Sequence, residues 1–264
     1  MESPAQNPSR SADRGQQTAT GPAPEVSIVV PTYREAENIR TLATRIAAAM
    51  SPTGRPYEVI LVDDDSRDGT DQLVADLLRE GLPLRLIVRV GQRGLSSAVI
   101  RGFREAQGHI LVCMDADLSH PPEALPRLIA ALDDPSVDFV IGSRHVEGGS
   151  TDENWGLLRR LYSGAAALMA RPFTRAKDPM AGYFALPRRV FQRADALNPI
   201  GYKIGLELMV KCDCAHVREI PIHFADRKFG QSKLNLKEQL RYINHLCRLA
   251  RYKIGRRLVH RSRP

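Results

Sequence analysis

An α/β fold with a mostly parallel central sheet covered by helices on both faces is predicted by three features of this 264-residue chain. Short, continuous apolar runs alternate with stretches of helical periodicity, as expected of strands buried on both faces. Polar clusters follow the apolar runs, where a parallel sheet presents ligand-binding loops at its carboxyl edge. A composition of 43% hydrophobic and 26% charged residues suits one soluble main domain with a substantial core.

In chain order, residues 1–24 are rich in Pro, Ser, Gln and Gly and nearly lack large apolar side chains, so they cannot offset their ordering entropy and are expected to form a disordered tail. There follow the strand EVSIVV, a helix over about 35–50, the strand YEVILV, a helix over about 70–80, the strand LRLIVRV and a helix over about 95–107. HILVCM, a helix over about 122–132 and VDFVIG complete the alternation. Beyond residue 150 it breaks down. WGLLRRLYSGAAALMARPF has helical spacing, with Leu157, Leu161, Ala165 and Met169 on one stripe and Arg159 and Ser163 on another. The main domain is therefore expected over 25–234, and 235–264 as a basic amphipathic helix. In that helix Leu236, Leu240, Ile243, Cys247, Ala250 and Ile254 form an apolar stripe beside Lys237, Arg241, Asn244, Arg248 and Arg251. Such a stripe packs on the core or lies on lipid.

The formal charge of +8 favours anionic partners. Cys113, Cys212, Cys214 and Cys247 lack CxxC spacing and no secretory apolar segment opens the chain, so a reducing cytosolic setting is expected. No apolar run reaches the roughly 18 residues of a membrane span, so any meeting with a membrane is expected to be peripheral, on the cytoplasmic side.

Four polar clusters carry the chemistry. Pro31, Tyr33 and Glu35 follow the first strand, Asp63, Asp64 and Asp65 the second, Asp115, Ala116 and Asp117 the fourth, and Ser143 and Arg144 the fifth. Asp65 or Ser66 alone would be read as a helix cap, but four clusters on one edge point to a ligand site. Asp115 and Asp117 must repel unless a cation is shared, which makes them candidate ligands for Mg²⁺ or Mn²⁺. Neither GxxxxGK[ST] nor GxGxxG occurs, so a nucleotide would be held through base and ribose with its diphosphate on the metal. His120 is expected to be structural, in a loop entering the next helix.

The motifs VVPTYREAENI, VDDDSRDGT, RGLSSAVIRGF, MDADLSHPPE, ENWGLLRRLYS, DPMAGYFAL, LNPIGYKIGLE and DRKFGQSKL, in unbroken order over about 25–245, resemble those of the dolichyl- and polyprenyl-phosphate mannose synthases, inverting glycosyltransferases of family 2 with a GT-A fold. The resemblance implies a Rossmann-like GT-A domain that moves mannose from GDP-mannose to a lipid monophosphate. It implies that Pro31, Tyr33, Glu35, Asp63, Asp64 and Asp65 contact the guanine nucleotide and that Asp115 and Asp117 hold the metal. Arg144, Arg159, Ser163, Arg227 and Lys233 match positions that hold donor and acceptor phosphates. Where family members usually carry a metal-approaching Gln this chain has Ser119, a shorter and weaker ligand, which leaves the choice between Mg²⁺ and Mn²⁺ open.

A lipid phosphate arrives largely as a dianion, so it needs no general base, and repulsion from the sugar diphosphate is the obstacle that fixed cations must remove. No Asp or Glu is therefore expected to act as an essential proton acceptor. Competing readings are a UDP-glucose-dependent polyprenyl-phosphate glucosyltransferase, a nucleic-acid-binding protein resting only on charge, and an idle relative. The expected partners are GDP-mannose, a dolichyl or polyprenyl phosphate, the membrane surface and a membrane-anchoring subunit, with no nucleic acid.

Overall fold

The computed structural model describes residues 23–152, 157–194, 196–198, 203–225 and 236–261, with the side chains of 157–163, 236–239 and 257–261 left aside. Most of the expected tail lies outside these residues.

Strands β1 (Val26–Thr32), β2 (Tyr57–Asp63), β3 (Leu84–Val88), β4 (Ile110–Cys113) and β5 (Phe139–Ser143) fall on the five predicted apolar runs. Helices α1 (Ala36–Met50), α2 (Thr70–Arg79) and α3 (Leu95–Glu105) lie between them as expected. The fourth predicted helix is shorter than expected, with a 3-10 turn over Pro122–Ala124 leading into α4 (Leu125–Ala130). Pro126 explains the division: it has no amide to donate, and its ring crowds the carbonyl four residues earlier, so a regular helix starts only around it.

The second half contains β6 (Ser150–Thr151), α5 (Leu157–Ala170), β7 (Phe184–Pro187), α6 (Arg188–Phe191), α7 (Ile204–Lys211), β8 (Val217–Pro221), β9 (His223–Phe224) and α8 (Leu236–Arg261). The main sheet runs β3-β2-β1-β4-β7-β5-β8, with β6 and β9 forming a small parallel pair beside it. All pairings in the main sheet are parallel except those of β7, which runs antiparallel to both β4 and β5. Because β7 is reversed, its amino end lies at the carboxyl edge of its neighbours. The segment just before it, 178–183, therefore reaches the edge that the sequence marks as the ligand side.

Alternate side chains of β1 feed opposite layers. Val26, Ile28 and Val30 pack with Ile39, Leu42 and Ile46 of α1, Leu77 of α2 and Leu128 of α4. Val29 joins Ile60, Val62, Val99 and Phe103 on the other face, together with Leu206 and Met209 of α7 and Tyr242 and Leu249 of α8. Burial on both faces is what makes the strand sequences continuously apolar.

Helix α8 does not pack on the core through its predicted stripe. Its core-facing positions are Tyr242, His245 and Leu249, whereas Leu240, Ile243 and Ile254 of the predicted stripe are 60%, 48% and 59% exposed. The Tyr242 hydroxyl donates to the Ala166 carbonyl of α5 at 2.7 Å, and Lys253 Nζ donates to that of Pro172 at 3.0 Å. Leu168 and Met169 of α5 are also exposed, so two adjacent helices present apolar side chains outward.

Candidate active site

The carboxyl edge gathers the predicted clusters around the point where the strand order departs in opposite directions from β1 and β4. Thr32 and Asp63 are register partners at the ends of β1 and β2. Asp63 is buried and accepts hydrogen bonds from Thr32 Oγ1 at 3.0 Å, from the Ser66 amide at 2.8 Å and from the Ser66 hydroxyl at 2.5 Å. Ser66 Oγ in turn accepts from the Arg34 amide at 2.8 Å, which ties the loop after β2 to the loop after β1. Asp64 forms a buried ion pair with Arg89, whose Nε donates at 2.8 Å, and also accepts from the Gly94 amide at 2.9 Å. Two of the three predicted nucleotide carboxylates are thus joined to the scaffold of their own loops. Asp65, the more accessible of the three, pairs with Arg67.

The side chain that caps helices here is Asp68, not Asp65 or Ser66. Its carboxylate accepts from the first amides of both α1 and α2, Ala36 and Thr70, each at 3.2 Å, and from the Thr70 hydroxyl at 2.7 Å. Desolvation pushes the Asp68 pKa upward, but these hydrogen bonds outweigh it and hold the group below its usual value. Glu35 accepts from Asn38 Nδ2 at 2.7 Å, and the Tyr33 ring is covered by the Arg93 guanidinium at 4.0 Å.

After β4, Asp115 and Asp117 sit on one tight turn that passes through Leu118 at φ 62°. Ser119 is fully buried. Its amide and hydroxyl donate to Asp117 Oδ1 at 3.1 and 2.5 Å, so the hydroxyl braces that carboxylate. His120 lies beneath the turn, stacked on Tyr183 at 5.1 Å and edge-on to Phe224 at 5.4 Å. Its Nδ1 accepts from the Asp115 amide at 3.0 Å, which puts the ring proton of the neutral form on Nε2. Burial lowers the His120 pKa, against the raising effect of Asp115 and Asp117. The residue pins the turn that carries the two aspartates.

A Cβ on Gly182, just ahead of β7, would come within 3.4 Å of Asp115 Oδ2 and 3.3 Å of His120 Cε1. Two hard oxygen donors on a braced turn, facing a position without a side chain, fit a divalent ion that keeps part of its shell for water and substrate phosphate. Among the described residues there is no group of three or more His, Cys, Asp or Glu placed to hold a metal ion.

Arg144, directly after β5, lies with its Cζ 5.3 Å from the Phe224 ring centroid, the same ring that packs on His120. Its guanidinium is held in a two-pronged ion pair by Asp178, at 2.8 Å for both bonds. Asp178 and Gly182 are site residues that the sequence reading did not single out. Both lie in the quoted DPMAGYFAL motif, and only the reversal of β7 brings them to this edge. Arg159 and Ser163 fall within α5, where their side chains are not described; Arg227 and Lys233 lie outside the described residues. The Ala225 amide, two positions before Arg227, donates to the Ser119 carbonyl at 3.1 Å.

Comparison with known proteins supplies the family. The model of glycosyl transferase family 2 matches residues 27–194. A dolichol-phosphate mannosyltransferase of Mycosarcoma maydis is 44% identical over 90% of this chain and 83% of its own length. One from Saccharomyces cerevisiae is 43% identical over 88% and 89%. The chain belongs to glycosyl transferase family 2, with the dolichol-phosphate mannosyltransferases. A solved mannosyltransferase of Pyrobaculum calidifontis, in complex with GDP-mannose and Mn²⁺, superposes with a TM-score of 0.62 at 22% identity, over 92% of this chain and 68% of that one, which shows the shared fold.

Proposed function

We propose that this glycosyltransferase moves mannose from GDP-mannose to the phosphate of a dolichyl or polyprenyl lipid with inversion, giving a β-mannosyl phosphate and GDP. The observation that carries the reading is the carboxyl edge itself, where a braced pair of carboxylates and a half-buried, oriented arginine stand on either side of β7 in a chain closely similar to curated dolichol-phosphate mannosyltransferases.

Asp115 and Asp117 would hold Mg²⁺ or Mn²⁺, and the bound ion supplies Lewis-acid stabilisation of the charge on the departing diphosphate. Ser119 and His120 keep the two carboxylates oriented through Asp117 Oδ1 and the Asp115 amide. Pro31, Tyr33, Glu35 and Asp65 form the nucleotide side, with Asp63 and Asp64 shaping its loops. Arg144, Arg159, Ser163, Arg227 and Lys233 hold the donor and acceptor phosphates, with Arg144 on the acceptor, offsetting the repulsion between two anions. The acceptor is its own nucleophile, so no carboxylate of the protein takes a proton.

An isoprenoid acceptor stays in the bilayer, and the outward apolar side chains Leu168, Met169, Leu240, Ile243 and Ile254 suit a surface that docks on it. Arg241, Arg248 and Arg251 are exposed on α8 and suit anionic headgroups. No helix among the described residues is long and apolar enough to cross a membrane. The free cysteines suit the reducing cytoplasmic side. Flotation of the purified chain with anionic liposomes separates direct docking from recruitment by a membrane-anchoring subunit.

The deciding assay is sugar transfer to a short polyprenyl phosphate in detergent, comparing GDP-mannose with UDP-glucose, each with Mg²⁺, Mn²⁺ or EDTA. Metal-dependent transfer from GDP-mannose alone is expected. Transfer from UDP-glucose alone would move the specificity and refute the donor assignment.

A further inference from the structure

We infer that Asp178 is a positioning residue for the transfer, fixing the orientation in which Arg144 meets the acceptor phosphate. This rests on the role given to Arg144 above.

Asp178 is 1% exposed and lies 34 positions beyond its partner in the chain. Its Oδ2 accepts from both the amide and the Nε of Arg144, at 3.1 and 2.8 Å, while Oδ1 accepts from Nη2 at 2.8 Å. Backbone and side chain of the arginine are therefore tied to one carboxylate. The backbone that carries Asp178 is itself held from behind. Glu219 of β8 accepts from the amides of Lys177 and Asp178 at 2.7 and 3.0 Å, anchoring the loop to the strand that pairs with β5. The Phe224 ring closes one face of the guanidinium.

Stability alone is a weak reason for such a pair. Burying two charges costs about as much as their attraction returns, so a bidentate pair at this depth contributes geometry more than free energy. A guanidinium gripped along its Nε and Nη2 edge has its plane fixed, and with it the direction of the Nη1 and Nη2 edge, whose spacing matches two phosphate oxygens. The carboxylate also subtracts charge from a site that must attract a dianion. Asp178 thus trades ground-state attraction for orientation, and this predicts an unusual kinetic signature.

The test is a kinetic cycle of Asp178→Asn and Arg144→Gln, singly and together, with GDP-mannose, Mn²⁺ and a short polyprenyl phosphate, with folding checked by thermal unfolding. Asp178→Asn is expected to lower kcat by about tenfold, the cost of a loosened reactive group. It should leave the KM for lipid phosphate no higher than before and the KM for GDP-mannose within about twofold. In the Arg144→Gln background the same change should cost less than about twofold. Equal penalties in both backgrounds, or a raised KM for GDP-mannose, would overturn the role. Should Asp178→Asn fail to fold, Glu219→Gln takes its place in the cycle, with a penalty of several-fold expected only when Arg144 is present and equal penalties again overturning the role. Inactivity of the unsubstituted protein would instead refute the underlying functional reading, so the two failures are distinguishable.

Discussion

The two sides of the active-site edge use buried ion pairs differently. On the side of β1, β2 and β3, Asp64 and Arg89 are 8% and 4% exposed as side chains, and the pair joins the loop after β2 to the turn before α3. On the side of β5, β7 and β8, Arg144 and Asp178 are 11% and 1% exposed, and the arginine is one proposed to receive substrate. The first pair closes a scaffold in which both partners bond to neighbouring loop atoms. In the second, a deeper carboxylate carries a shallower cation. Similar chemistry therefore serves architecture on one side and aim on the other, and which it does depends on which partner stands nearer the ligand.

That contrast can be broken by substitution. Arg89→Ala should lower the unfolding free energy by about 3–5 kcal/mol, because it leaves Asp64 buried without its cation, as urea unfolding would measure. The folded fraction should keep its kcat within about threefold. A large loss of kcat with stability intact would move Arg89 into the chemistry and erase the distinction. Gly182→Ala tests the space between the two sides, since the added methyl would meet Asp115 and His120 within 3.4 Å. The KM for GDP-mannose with Mn²⁺ should rise by about tenfold with little change in melting temperature.

The smallest effect is on pH dependence. Burial raises the Asp178 pKa, but the Arg144 hydrogen bonds and charge outweigh it and hold the group below the ordinary 3.8. The unfolded chain therefore binds the proton more readily, so this stabilisation is complete above pH 3.8 and is lost as pH falls through the lower folded value. Asp178→Asn should flatten the acid limb of the stability curve there. An unchanged limb would mean that the pair is open in solution.

How much of this was legible in the sequence differs between the same two sides. Strands β1 to β5 were readable because burial on both faces makes them continuously apolar, and the polar clusters followed at their ends. Strand β7 was not: Phe184–Pro187 is four residues long, and nothing local records that it runs backwards between β4 and β5. Asp178 depends on that reversal for its partner. The core-facing side of α8 was missed because Tyr242 and His245 do much of its packing, residues that a hydropathy pattern discounts beside Leu240 and Ile243. The acidic clusters were found, but not that Asp63 and Asp64 bond inward, since a carboxylate that holds its own loop reads the same as one that faces a ligand.

The most direct test of this division of labour is to measure GDP binding in the presence of Mn²⁺ by calorimetry, alongside the KM for polyprenyl phosphate, in Asp115→Asn and Arg144→Gln. Asp115→Asn is expected to abolish the Mn²⁺-dependent part of GDP binding, while Arg144→Gln should leave it intact and lower kcat/KM for the lipid phosphate by about 10²-fold. Loss of GDP binding in Arg144→Gln, or its full retention in Asp115→Asn, would contradict the assignment of carboxylates to the donor and of the oriented arginine to the acceptor.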